Sequence, residues 1–201
     1  MKISVFKKKL PAWAILFAFL ILQSCEDGEY QPRPKGYFRI DFPQKNYRQY
    51  QGDCPFSFSY PTYTHIVNNP NGYCWMNIVF PKFKATVYLS YSPVQNNIDT
   101  LLEDSHTLVY KHAVKAADIQ LNTIIDTSKH TYITTYDIYG DAASEFQFQI
   151  TDSTRHFLRG SLYFNTAPNR DSLQPVINFI KQDIDVMLKS FEWKTQDDNP
   201  D

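Results

Sequence analysis

Four segments of strand length, Ile119 to Asp126, Thr131 to Tyr139, Ser144 to Thr151 and Arg155 to Asn165, follow one another with little between them. The middle links, Gly140-Asp141-Ala142 and Asp152-Ser153-Thr154, are short and polar, as antiparallel hairpins require. This half of the chain is therefore expected to be a meander.

The preceding residues carry the same period of two. Tyr37 to Pro43 and Phe56 to Pro61 alternate aromatic with polar residues, and each run closes on Pro, which suits edge strands. After the Asn- and Gly-rich loop Asn68 to Gly72 come Tyr73 to Phe80 and Lys84 to Tyr91, separated by Pro81-Lys82-Phe83. In the second of these, Ala85, Val87, Leu89 and Tyr91 alternate with Lys84, Thr86, Tyr88 and Ser90, which predicts a hairpin with one buried face.

Between Asn97 and Ala117 the period lengthens to that of an amphipathic helix, carried by Ile98, Leu101, Leu102, Leu108, Val109, His112, Ala113 and Ala116. A second helix is predicted from Ser172 to Phe191, with Val176, Ile177, Ile180, Ile184, Met187 and Leu188 on one face and Pro175 in its first turn. The expected fold is one α+β domain over residues 37–194. It has an antiparallel sheet of about six to seven strands, with two main helices packed side by side on it, in a cystatin-like or PsbP-like arrangement.

The N-terminus reads as an export signal over residues 1–24. Lys2, Lys7, Lys8 and Lys9 precede an apolar run from Leu10 to Leu22, and Ser24 stands just before Cys25. That run is shorter than the roughly 20 residues a membrane-spanning helix needs. Leu22 and Ser24 ahead of Cys25 resemble a bacterial lipobox, which makes Cys25 the expected lipidated N-terminus. A plain cleaved signal and a short uncleaved anchor are the alternatives. Residues 25–36, with Pro32, Pro34 and Gly36, are expected to form a tether, and residues 195–201 a disordered acidic tail.

Removing residues 1–24 takes away four Lys and no acid, leaving 16 basic against 21 acidic residues. Such an acidic domain is a poor candidate for nucleic acid or anionic lipid, so the lipid would have to hold the membrane. Cys54 and Cys74 then remain as an even pair in an exported chain. A disulfide is expected between them, with a metal pair as the weaker alternative.

No motif for a nucleophile, a phosphate loop or a zinc-binding helix is present. His65, His106, His112, His130 and His156 never stand three or four apart, so no helix offers a metal pair. His112 is expected to be a core residue. Glu103 and Asp104 beside His106, and Asp152 near His156, read as helix surface and turn chemistry. No catalytic residue, metal or cofactor is expected. With 14 Tyr, 15 Phe and 3 Trp, some aromatic surface is expected, which fits a protein interface or a carbohydrate-binding face equally well.

Several stretches taken together resemble the gliding motility lipoprotein family GldD of the Bacteroidota. They include the run from Pro34 to Pro43, Cys54-Pro55-Phe56-Ser57-Phe58, Cys74-Trp75-Met76-Asn77, Lys111 to Ala116, the run from Thr151 to Gly160, and Ser190 to Lys194. The resemblance implies a non-enzymatic component or stabiliser of the gliding machinery, which is linked to type IX secretion. Its partners would be other envelope lipoproteins of that machinery, and its place the periplasmic face of the outer membrane, with the cell surface as alternative. Arg155 and Arg159 are candidates for docking an acidic partner, or else solvated or internally paired arginines. A small-molecule or glycan-binding lipoprotein is the rival reading. It predicts an open aromatic groove.

Overall fold

Alternation governs the sheet. In the strand Ala85–Pro93, residues 85, 87, 89 and 91 are buried and those between them are not, so one face of the pleat must meet a core. The computed structural model describes residues 39–111, 115–167 and 169–194. The signal, Cys25, the tether, His112 and the acidic tail lie outside them. In chain order the elements are β1 (Tyr47–Gln49), β2 (Phe56–Ser57), β3 (Ser59–Pro61), β4 (His65–Asn68), β5 (Met76–Phe80), a 3-10 turn at Pro81–Phe83 and β6 (Ala85–Pro93). There follow α1 (Ile98–Lys111), β7 (Ala116–Asp126), β8 (Thr131–Gly140), β9 (Ser144–Thr151), β10 (His156–Phe164), α2 (Arg170–Lys189) and β11 (Glu192–Trp193).

Seven strands form one antiparallel sheet in the order β4-β5-β6-β10-β9-β8-β7. Strands β7 to β10 are the expected meander, and β10 closes it against β6, so α1 carries the chain from the middle of the sheet to its far edge. Two small ribbons, β1–β3 and β2–β11, lie outside this sheet. The α+β class and the antiparallel sheet agree with the sequence reading.

The inner face of the sheet buries Val87, Leu89, Phe146, Phe148, Ile150, Leu158 and Leu162, which share a core with Ile180, Ile184, Met187 and Leu188 of α2 and with Phe56, Phe58 and Phe191. Gly160 lies in that face because a Cβ there would come within 2.0 Å of the Phe148 ring. Burying side chains of this size contributes roughly 1.5–3 kcal/mol each, so this layer dominates the stability.

The two helices do not lie side by side. Tyr136 stands opposite Gln147, out of step with the inner pairs Ile133–Ile150 and Thr135–Phe148. Tyr136 and Ile138 instead pack with Val109 of α1 in a separate small cluster. Helix α1 therefore covers the outer face and α2 the inner one. The cause is visible in their stripes: α1 buries only Ser105 and Val109, whereas α2 buries eight residues, Arg170 and Asp183 included. The narrow stripe suits the small apolar strip left on the outer side of β8.

Other expectations shift at the boundaries. From Arg39 to Asn46 there is no strand. Phe42 stacks instead on Phe179 of α2 at 4.5 Å, and Lys45 donates to Asp183 at 2.7 Å, so this stretch is held by side chains rather than by a ladder. The Phe56 to Pro61 run divides between the two ribbons. Strands β1 and β4 carry no fully buried residue, which is why periodicity gave no signal for them.

Helix α2 begins two residues earlier than expected, which places Pro175 beyond its first turn. Asn169 caps it by accepting from the Ser172 N–H at 3.2 Å. The Arg170 guanidinium is locked between strands, with Nη1 2.7 Å from Glu145 and Nη2 3.2 Å from Asp137. Asp137 also pairs with Lys181. Glu145 is the extra residue of a bulge, since Leu162 faces Phe146 while Tyr163 faces Ser144. Bulges re-aim a side chain, and this one turns a carboxylate toward the helix.

Burial pushes the Glu145 carboxyl above its ordinary value, against the opposing pull of Arg170. Breaking a buried pair from one side leaves a charge without compensation, at a cost of roughly 3–5 kcal/mol. Arg170→Leu is expected to lower the urea-unfolding free energy by about that much. Recovery of much of the loss in Arg170→Leu/Glu145→Leu, measured by the same denaturation, would confirm that the orphaned carboxylate is the cause.

Candidate functional site

On the outer face the floor is polar. β10 presents Phe157, Arg159, Ser161 and Tyr163, which stand opposite Ser92, Ser90, Tyr88 and Thr86 of β6. On the other side Arg159 faces Gln149 and Ser161 faces Gln147 of β9. Arg159 Nη2 donates to Gln147 Oε1 at 2.7 Å. Burial pulls the Arg159 guanidinium below its usual value, with Tyr163 acting in the opposite sense. Toward the end of β10 the floor opens into a cleft of about 670 Å³, lined among the described residues by Thr86, Tyr88, Tyr163, Phe164 and Asn165. The Tyr88 and Tyr163 rings meet edge to face at 5.7 Å.

The sheet ends on β7, which pairs with β8 alone along all its length. Leu121 and Ile125 are 55% and 60% exposed, and Ile124 is 41% exposed. The strand contains neither Lys nor Pro, the residues that most often blunt a sheet edge. Its one irregularity is a bulge at Ala117, where Gly140 has φ +105° and leaves no room for a Cβ against the Ala117 backbone. The opposite edge, β4, has four residues.

The turn before β10 gathers the acid and imidazole noted in the sequence. Asp152 Oδ1 accepts from the backbone N–H groups of Thr154, Arg155 and His156 at 3.0, 2.8 and 2.8 Å. Burial raises the Asp152 carboxyl, but these bonds outweigh it and hold the group below its ordinary value. His156 Nδ1 lies 2.8 Å from the Tyr91 hydroxyl, and its ring stacks on Trp193 at 4.9 Å. Both side chains are thus committed to shaping the turn. Arg155 is exposed and 3.9 Å from Asp152, while Arg159 is part-buried, so the two candidate docking arginines stand in different environments.

Asp183 of α2 is likewise occupied, accepting from Lys45, Tyr47 and Tyr63. Burial, followed by the hydrogen bond to Asp183, pushes the Tyr47 hydroxyl up to about 12. Cys54 and Cys74 are joined as a disulfide spanning 20 residues, which ties the loop before β2 to the loop before β5. Among the described residues no group of three or more His, Cys, Asp or Glu is placed to hold a metal ion.

A family model described as gliding motility lipoprotein GldD matches residues 27–193. The chain belongs to that family. No curated protein matches it. Membership of the GldD lipoproteins implies a lipid-anchored place in the cell envelope and association with gliding motility. No helix among the described residues is long and apolar enough to cross a membrane.

The features of this GldD protein that sequence reasoning missed are the Gln147–Gln149 pair beneath the outer face and the open edge of β7. Gln at alternate positions of β9 reads as solvent-facing, yet Gln147 is 1% and Gln149 6% exposed. The exposed apolar side chains of β7 were legible as a strand but not as an edge, because strand order is not written in periodicity.

His156 supplies a pH test. Burial, aided by Arg155 and opposed by Asp152, lowers its pKa from 6.5. Below 6.5 the unfolded chain therefore takes up a proton that the folded chain resists. The stability is complete above that value and falls as pH drops through the depressed one. Urea midpoints are expected to fall between pH 7.5 and pH 5 in the parent protein, and His156→Gln is expected to flatten that fall.

Proposed function

We propose that the protein is a non-enzymatic lipoprotein of the envelope, a component or stabiliser of the gliding motility machinery linked to type IX secretion. Diacylated Cys25 would hold it at the periplasmic face of the outer membrane, and residues 26–36 would set the height of the domain. Its mode of action would be docking to other lipoproteins of that machinery. Family membership supports the setting. The observation that carries the docking is β7, eleven residues paired on one side only with three large apolar side chains exposed.

An unpaired edge of that length offers a row of backbone donors and acceptors to an extended segment of a partner. Leu121 and Ile125 share one face of the strand and Ile124 takes the other, so an added strand would find apolar contact on both sides. Asp118 and Asp126 flank the apolar stretch and favour a neutral or basic segment over an acidic one. Cys25 lipidation and the oxidised state of Cys54 and Cys74 belong to the same reading, and intact-mass measurement on the purified lipoprotein tests both.

Leu121→Lys/Ile125→Lys is expected to leave thermal unfolding within about 4 °C of the parent, since exposed substitutions cost within about 0.5 kcal/mol each. The same variant is expected to abolish gliding and to lose the crosslinked species formed in intact cells by a photo-crosslinker at position 122. Crosslinking that survives the double substitution, or a chain recovered only as a free monomer from gliding cells, would overturn the docking reading. Protease shaving of intact cells tests the leaflet: protection is expected, and cleavage would place the domain on the cell surface.

A further inference from the structure

From Cys54 to Ile98 the chain contains no Asp or Glu, and Lys82 and Lys84 are its only Lys or Arg. The net negative charge of the domain is therefore not spread evenly. This acid-free stretch folds into β4, β5 and β6, which form one side of the seven-stranded sheet, and the next strand, β10, also carries no acid. The acidic balance counts against anionic lipid for the domain as a whole, but not for this part of it.

The outer face of these four strands is aromatic. Val67, Asn77, Tyr88 and Ser161 stand in one row across it, and Val79, Thr86 and Tyr163 in the next. Met76 is buried, so its neighbours Trp75 and Asn77 turn to the outer side, and Trp75 Nε1 donates to the Tyr91 carbonyl at 2.9 Å. Val67, Trp75 and Tyr88 are 46%, 36% and 47% exposed. Helix α1 packs through Val109 on Tyr136 and Ile138 of β8, in the other half of the sheet. Exposed basic residues stand near the aromatic rows, Lys82 and Lys84 at the β5–β6 turn and Arg155 just before β10. The Lys84 carbonyl accepts from the Asn165 N–H at 2.7 Å, which sets this lysine beside the cleft that Tyr88 and Tyr163 line.

Tyr and Trp, each an apolar ring with a polar tip, favour the headgroup layer of a bilayer, and basic residues beside them add attraction to anionic headgroups. We propose that this half of the outer face rests on an anionic phospholipid surface, with Val67, Trp75 and Tyr88 in the headgroup layer and Lys82, Lys84 and Arg155 at the rim. The proposal rests on the lipidation of Cys25, which supplies the firm anchor, while the face sets which way the domain lies. Arg39 follows Cys25 by fourteen residues, which reach at most roughly 50 Å, so the tether permits this contact. β7 stands at the opposite edge of the sheet, so the docking edge stays free.

The test uses the mature lipoprotein, in which Trp75 and Trp193 remain once Trp13 leaves with the signal. Trp193 packs on Phe56 and Phe191 of the core and serves as the reference. The protein is reconstituted into phosphatidylethanolamine–phosphatidylglycerol vesicles with brominated acyl chains, and its emission is compared with that in unbrominated vesicles. Emission is expected to fall by about half in Trp193→Phe and to stay nearly unchanged in Trp75→Phe. Lys82→Glu/Lys84→Glu, or exchange of phosphatidylglycerol for phosphatidylcholine, is expected to reduce that quenching by about twofold or more. Flotation of the same samples separates the two readings. Protein that floats with the vesicles while Trp75 is not quenched would overturn the face contact and leave the anchor, whereas protein that does not float would overturn both. Trp75 shielded from bromine and from aqueous iodide alike would mean that a second copy or another protein covers the face, and equal quenching in anionic and zwitterionic vesicles would refute the choice of anionic lipid.

Discussion

The position of α2 on the sheet depends on Arg170. Its side chain is 8% exposed, and its guanidinium also donates to the Ile138 carbonyl at 2.6 Å. Three contacts to two strands fix the start of the helix in both depth and rotation. Apolar packing alone would not do this, because hydrophobic burial is non-directional and tolerates sliding. With the start pinned, Ile180, Ile184 and Met187 fall over the inner face, and Asp183 faces the segment that carries Lys45, Tyr47 and Tyr63. The N-terminal stretch of the described chain is thus positioned by the same helix.

That arrangement separates the work of the two faces. The inner face is closely filled: its aromatic residues, among them Phe56 and Phe58, are nearly free of solvent. Among the described residues α1 buries only Ser105 and Val109 of its own, and farther along the outer face Tyr88 and Tyr163 border an open cleft. Buried polar atoms without a hydrogen-bond partner stand on both sides, Arg159 Nε, Gln147 Nε2 and Gln149 Oε1 toward the outer face and Trp193 Nε1 against the core.

The meander from β7 to β10 and both helices were legible in the sequence because each has a period that burial reinforces. Boundaries were less so. The start of α2 is set by Arg170, whose partners lie 25 and 33 residues away, and no local pattern encodes a contact of that range. The placement of α1 on the outer face was hidden for a related reason, since an amphipathic stripe says that a helix is covered but not by which side of the sheet. Arg155 and Arg159 look alike in the sequence; the onset of β10 at His156 separates them, leaving the first in the turn and carrying the second under cover. The aromatic count could not say which rings stand at the surface; Tyr73, Tyr88 and Tyr110 do, whereas the exposed side chains of the β7 edge are aliphatic.

An exposed apolar edge such as β7 is a hazard in a freely diffusing protein, because it pairs with any extended segment. Confinement changes the balance. A domain held at a membrane meets a few neighbours at high effective concentration, and two weak contacts then act together with an avidity that neither has alone. The anchor and the edge are complementary in this respect: an edge contact too weak to persist in solution suffices beside a fixed partner, and its weakness limits pairing with anything else. The net negative charge of the domain acts in the same direction, since it discourages lateral association of like copies through their own edges. On the proposed docking, lipid, charge and open strand together would make selectivity depend on where the domain is held as much as on what it touches.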